Sequence, residues 1–190
     1  LTYIVDHPHP PQFVGFIVNW KASSRYVELD RLKELLTIDK RKSKYVAVIV
    51  KNDETTLEKI KDLPFDYYQM YDCSPEEIIE IKEKYNKKII AALTIENKED
   101  VKKYKEYENI SEIILFDSKG YEKSMSFDHN LLNEVEDHVE KMIAGNIQID
   151  DIPSFRNKDY IVDVSKAVED ENGKKDTNKI NKLLNLAAKL

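Results

Sequence analysis

Seven short apolar runs recur along the chain, at residues 14–18, 45–50, 65–70, 88–93, 110–116, 141–144 and 160–164. Apolar positions predominate in these runs, with polar breaks such as Asp66, Gln69, Glu112 and Asp163, and none shows the strict alternation of a half-exposed strand. Strands of this kind are buried on both faces, as in parallel sheets covered by helices. The segments between them carry helical signals. Leu29, Leu32, Leu35 and Leu36 fall at helical spacing. Asp53, with Thr55 and Thr56 nearby, caps a short helix over 57–63. Ser74-Pro75-Glu76-Glu77 places a hydroxyl at the N-cap and proline at the first helical position. Asn97 or its neighbours open another helix, residues 127–135 predict one more, and 149–155 has room for a single turn. Residues 177–190 close the chain as a helix.

Strict β–α alternation leads to a closed barrel or an open doubly wound sheet. An open sheet commonly carries a glycine-rich phosphate turn after its first strand, and none is present: the glycines are Gly15, Gly120, Gly145 and Gly173. The expected fold is therefore a (β/α)8 barrel of parallel strands, with residues 1–190 forming one domain. A closed barrel needs an eighth strand. The proline-rich start, LTYIVDHPHPPQF, marks the N-terminus as the place where it is missing. The first residue is leucine, so the natural chain is expected to begin earlier.

Charge and cysteine content narrow the function classes. Net charge is −6, with lysines and acids interleaved and no basic stripe, which argues against nucleic acid as a partner. Cys73 is the sole cysteine, so neither an intrachain disulfide nor a cysteine metal cluster is available. His7 and His9 sit in HPHPP, the wrong backbone for a helical metal pair, and His129 and His138 lie in an acidic stretch, so no metal is expected. No apolar run has membrane-spanning length and the start lacks the charged region of a signal peptide, which makes a cytoplasmic protein the expectation. The oligomeric state is left open.

Candidate chemistry lies where strands end. Asp117 closes the fifth run; a carboxylate there serves as acid or base at a barrel mouth, or else as a helix cap or turn former. Arg25 follows the first run and is either a bidentate partner for a substrate carboxylate or a surface arginine. Ala144-Gly145-Asn146 and Ser165-Lys166-Ala167 end consecutive strands, where barrels often hold a phosphate on backbone N–H groups; the other reading is two ordinary turns. Cys73 stands beside a helix start but is better read as structural.

In order along the chain, these segments resemble the phosphoribosylanthranilate isomerase family, (β/α)8-barrel enzymes of tryptophan biosynthesis. Val14-Gly15-Phe16 through Ser24-Arg25-Tyr26 resembles the family's VGF…KSxR, and residues 46–52 its VGVFVN strand. Tyr68-Gln69-Met70-Tyr71 is similar to VQLHG, Leu115-Phe116-Asp117-Ser118 to LLDS, and Ile143-Ala144-Gly145-Asn146-Ile147 to LAGGL. Residues 162–169 resemble VDVSSGVE, and Gly173-Lys174-Lys175-Asp176 resembles GxKD.

The resemblance implies a cofactor-free Amadori rearrangement of N-(5-phosphoribosyl)anthranilate to the carboxyphenylamino-deoxyribulose phosphate. One group protonates the ribose ring oxygen and another removes the proton at C2′. By resemblance Asp117 is the acid, Arg25 faces the anthranilate carboxylate, Gln69 lies in the substrate site, and Gly145, Asn146, Ser165 and Lys166 lie at the phosphate.

Four departures stand out. The family's KxCG strand, whose cysteine is the base, has no counterpart in these 190 residues; residues 1–13 look like the remnant of the first helix, and Cys73 is not its equivalent. A chain starting at Leu1 is accordingly expected to be inactive alone. GGxGxxFDW is reduced to residues 120–128, and the histidine of QLHG is Tyr71. Asn146 and Lys166-Ala167 replace phosphate-loop residues. The competing expectations are a non-catalytic or differently specific sugar-phosphate-binding homologue, and another sugar-phosphate isomerase or lyase using Asp117 alone.

Overall fold

In the computed structural model residues 1–118 and 127–190 are described. Among them, seven strands form one sheet in chain order: β1 (Phe13–Ile17), β2 (Lys44–Val50), β3 (Tyr67–Tyr71), β4 (Lys88–Ile95), β5 (Ile113–Ser118), β6 (Lys141–Ile143) and β7 (Tyr160–Val162). Every neighbouring pair is parallel, so all the C-terminal strand ends share one rim. This is the expected β/α barrel order, with β1 and β7 as edges.

Side-chain parity separates the two faces of the sheet. Phe13, Val46, Tyr71, Ile90, Leu115, Met142 and Ile161, one from each strand, belong to a single inner cluster. The alternate positions, among them Ile49, Ile89, Phe116 and Ile143, belong to the larger outer core beneath the helices. The sheet is curled, as its edges show. Arg25, in the loop after β1, bonds to Glu169 beyond β7. Seven strands laid flat would hold those edges roughly 30 Å apart, far beyond side-chain reach.

The helices are α1 (Thr2–Val5), α2 (Leu29–Leu36), α3 (Glu54–Ile60), α4 (Pro75–Tyr85), α5 (Lys98–Lys102) and α6 (Thr177–Ala187). Their starts follow the local chemistry. The Ser74 hydroxyl accepts from the Glu77 N–H while the Glu77 carboxylate accepts from the Ser74 N–H, a reciprocal cap on α4. Asn97 and Asp100 do the same for α5, and Asp53 and Asp176 cap α3 and α6. In α2, Leu32 and Leu36 are buried one turn apart, which fixes its inward face. α1 lies against α6: Ile4 packs with Ile180 and Leu184, and His7 Nε2 is 3.0 Å from Asn181 Oδ1.

Some boundaries differ from those expected. The helix predicted over 127–135 is a 3-10 segment at His129–Glu134, opened by the Asp128 carboxylate accepting from the Asn130 N–H and ended by Val135 in extended conformation. Ile149–Phe155 is likewise 3-10, with Pro153 removing a donor from its interior. β3 starts at Tyr67, two residues later than expected, and the Asp66 carboxylate just before it accepts from the Tyr45 N–H and from Lys40. Phe65 is buried just outside the strand, so its apolar character reflects packing rather than pairing. The His129 ring meets Phe127 edge-on and tilts against Phe155.

Candidate active site

Asp117 is the penultimate residue of β5, paired in register with Thr94 of β4. Its inner-face parity, two beyond Leu115, places its carboxylate at the mouth. The Tyr71 hydroxyl donates to Asp117 Oδ2 at 2.9 Å, and the buried Gln69 amide donates to that hydroxyl at a longer 3.4 Å. Gln69 and Tyr71 are two apart on β3, so the pleat sets both on the inner face. Burial pushes the Asp117 carboxyl above the ordinary aspartate range, and the hydrogen bond from Tyr71 partly offsets it. An elevated carboxyl retains its proton nearer neutrality, as a general acid requires.

A second carboxylate reaches the same mouth. Asp163 follows β7 two residues beyond Ile161, an inner-face residue, and therefore shares that face. Its N–H donates to the Ile143 carbonyl at 2.8 Å, which extends the pairing of β6 and β7 to the rim. Burial first, and the negative charge of Asp117 second, push the Asp163 carboxyl up to about 6, while Lys175 and Arg25 pull the other way. A carboxyl raised on folding binds protons more tightly in the native state, so its ionisation costs stability as pH rises from the unfolded value toward 6. A shift of about two units corresponds to roughly 3 kcal/mol. The residue keeps some solvent exposure, and screening reduces that to about 1–2 kcal/mol. Asp163→Asn is therefore expected to raise the unfolding free energy by about 1–2 kcal/mol near pH 7.5, and to leave it unchanged near pH 3.5, where both states are largely protonated. Urea denaturation at the two pH values measures this; equal stabilities at the higher pH would refute it.

Arg25 lies in the loop after β1, and its partner lies beyond β7. Arg25 Nε donates to Glu169 Oε1 at 2.6 Å and Nη2 to Oε2 at 3.0 Å, a two-bond fork across the sheet's two edges. Glu169 Oε1 also accepts from Lys175 Nζ at 2.9 Å. These two cations hold the Glu169 carboxyl below its ordinary value despite burial, and Glu169 raises the Arg25 guanidinium.

The turns after β6 and β7 lie at the same rim. Gly145 and Asn146 both have positive φ, 99° and 51°. Asparagine is among the few residues that adopt such a conformation readily, so the glycine-to-asparagine departure keeps a left-handed turn. The Asn146 side chain is held by Gln148, whose amide donates to Asn146 Oδ1 and to its carbonyl, both at 2.9 Å. Ser165 precedes a short 3-10 segment, Lys166–Val168, and its carbonyl accepts from Lys175 Nζ at 2.7 Å. Lys166 is exposed, and its amine has no hydrogen-bond or ion-pair partner among the described residues.

Thus Asp117, Gly145, Asn146, Ser165 and Arg25 gather at the C-terminal rim, with Gln69 buried one layer below Asp117. Residues 119–126, most of the segment compared with GGxGxxFDW, lie outside the described residues. Cys73 does not join the mouth: it is buried in the outer core, its thiol donates to the Tyr71 carbonyl, and burial pushes it up to about 12. Among the described residues no cluster of His, Cys, Asp or Glu suits a metal ion. Three members of the constellation had no assigned role in the sequence reading: Tyr71, Asp163 and Glu169. Inner-face parity identifies the first two, counting from Gln69 and Ile161; Glu169 has no comparable local signal.

The comparisons agree with this architecture. A sequence model described as "N-(5'phosphoribosyl)anthranilate (PRA) isomerase" matches residues 4–186. The N-(5'-phosphoribosyl)anthranilate isomerase of Rhizobium rhizogenes is 31% identical over 186 residues, spanning 92% of this chain and 83% of the relative. The crystal structure of phosphoribosyl anthranilate isomerase from Thermotoga maritima superposes with a TM-score of 0.83 at 24% identity, covering 96% of this chain and 90% of that one. Another isomerase structure, in complex with reduced 1-(o-carboxyphenylamino)-1-deoxyribulose 5-phosphate, superposes with a TM-score of 0.81 at 23% identity and the same coverage. A match over nearly every residue, on seven parallel strands in chain order, means that the chain belongs to the N-(5'-phosphoribosyl)anthranilate isomerase family.

Proposed function

We propose that this barrel catalyses the Amadori rearrangement of N-(5'-phosphoribosyl)anthranilate to the carboxyphenylamino-deoxyribulose phosphate. The observation that carries the reading is the position of Asp117: a carboxyl with raised proton affinity at the rim, between an arginine after β1 and the turns after β6 and β7. The substrate has an anion at each end, a carboxylate on the aromatic ring and a phosphate on the sugar. Arg25 meets the first. Gly145, Asn146, Ser165 and Lys166 meet the second.

In this mechanism Asp117 donates its proton to the ribose ring oxygen as the C1′–O bond breaks, leaving the open-chain protonated imine. Loss of the C2′ proton to a base then gives the neutral enolamine, and protonation at C1′ with loss of the 2′-hydroxyl proton completes the aminoketose. Tyr71 orients the Asp117 carboxyl through its 2.9 Å hydrogen bond, and Gln69 supports that hydroxyl from below. Cys73, buried and with its thiol raised to about 12, is unsuited to the base's role. The base follows the family pattern, a cysteine within KxCG, a motif absent from these 190 residues.

Complementation tests the activity: the natural full-length chain restores growth without tryptophan to a strain lacking this isomerase. No growth, with the protein folded and expressed, overturns the reading. The phosphate end has its own test. An unpaired lysine adds a point charge, less directional than a ring of backbone donors and more sensitive to salt. Lys166→Ala is expected to weaken inorganic phosphate binding by about fivefold, ~1 kcal/mol, and to flatten its salt dependence. Calorimetry at two ionic strengths measures both; unchanged affinity and unchanged salt dependence remove Lys166 from the site.

A further inference from the structure

We infer that Glu169 is a positioning residue that sets the guanidinium of Arg25 for the substrate's carboxylate and, through Lys175, ties that end of the site to the Ser165 turn. The inference rests on the isomerase reading. It begins from donor accounting. A guanidinium carries five N–H groups, and it can present a two-donor edge either through Nε and Nη2 or through its two terminal nitrogens. Glu169 takes the first edge, with bonds of 2.6 and 3.0 Å. Three N–H groups remain at the other end, and no described residue occupies them. Glu169 therefore leaves Arg25 able to grip a second carboxylate while fixing the plane in which it does so.

The surroundings explain why Glu169 holds its place. Its side chain is 8% exposed, against 32% for Arg25, so the acid is the anchored partner. Glu169 and Lys175 face each other in an isolated antiparallel bridge, and Lys179 Nζ donates to the Glu169 carbonyl at 2.6 Å. Lys175 Nζ spans Glu169 Oε1 and the Ser165 carbonyl, at 2.9 and 2.7 Å. Glu169 therefore shares one carboxylate between two cations, Arg25 and Lys175. Asp163 adds a second, weaker negative charge that acts on the Arg25 guanidinium.

A pair joining the two sheet edges could instead be only a staple, and the test separates these roles. The full-length protein is titrated calorimetrically with reduced 1-(o-carboxyphenylamino)-1-deoxyribulose 5-phosphate and with its phenylamino counterpart, which lacks the carboxylate. The parent is expected to prefer the carboxylated ligand by about 10–100-fold, the range of charge-assisted bidentate bonding. Glu169→Gln keeps the shape and removes the charge; the preference is expected to fall below about threefold, with affinity for the carboxylate-free ligand within about twofold of the parent. Glu169→Asp keeps the charge on a shorter stem and is expected to retain an intermediate preference, which keeps the inference testable if Glu169→Gln does not fold. Equal weakening of both ligands, or an unchanged preference, overturns the positioning role and leaves the isomerase reading intact. A parent that binds neither ligand overturns both.

Discussion

Asp117→Asn is expected to lower kcat by about 10²–10⁴-fold, the usual contribution of a positioned general acid. The substitution is nearly isosteric, and the amide oxygen can still accept from the Tyr71 hydroxyl, whose present bond to Asp117 is 2.9 Å. What is lost is the transferable proton. Neutral asparagine also relieves the like-charge contact with Asp163, so the variant should be at least as stable as the parent at neutral pH. That combination, a large kinetic loss without a fall in stability, distinguishes a chemical role from a structural one. The pH profile adds a sign. The active form of an acid is protonated, so the parent's rate falls as pH rises through the elevated Asp117 value. That limb should vanish in the variant. A variant turning over at nearly the parental rate would exclude Asp117 as the acid.

The strands were legible in the sequence because burial on both faces leaves a mostly apolar run, which is a local property. Their ends were less so, for a physical reason visible at β7. The expected strand runs through Val164, whereas β7 is Tyr160–Val162 with one further bond from the Asp163 N–H to the Ile143 carbonyl, and Val164 packs against the outer core. The same holds for Phe65, which is buried beside β3 without belonging to it. Apolar character reports burial, and burial extends beyond hydrogen-bonded pairing.

The site divides along a similar line. Asp117 was legible because its role follows from where a strand stops. The partner of Arg25 was not, since Glu169 lies 144 residues away and meets it only because the sheet curls. Nor was the effect of Asn146, a departure from the family's loop that nonetheless keeps the left-handed backbone, with its side chain engaged by Gln148. Tyr71, read as a departure from the family's histidine, donates the hydrogen bond that orients the proposed acid. Asp163 acquires its elevated affinity for protons from three-dimensional burial and from Asp117, neither of which is encoded in its own neighbourhood.

Gly145→Ala is expected to damage both stability and activity at the rim. Gly145 has φ +99°, and a Cβ placed there would stand 2.5 Å from Ser118 Oγ, 2.7 Å from Ser118 Cβ and 3.0 Å from the Ser118 backbone nitrogen. The side-chain oxygen could rotate away, but the Ser118 Cβ and nitrogen move only with the strand. Positive φ costs an L-residue about 1–2 kcal/mol, and overpacking adds roughly 1–3 kcal/mol. Together they predict a loss of about 3 kcal/mol, a fall of about 6–12 °C in Tm for a chain of this size. Gly173→Ala provides the control. Its φ is +75° but nothing lies within 4 Å of the added Cβ, so it should lose only the conformational part, about 1 kcal/mol. The excess at Gly145 measures the contact with β5. Because Ser118 adjoins Asp117, a displaced strand end should also lower kcat in the Gly145 variant while leaving it unchanged in the Gly173 control. Thermal denaturation and steady-state kinetics on the two variants decide the matter: equal losses at both glycines would mean that the β6 turn does not bear on the end of β5, and that Gly145 is required for its backbone conformation alone.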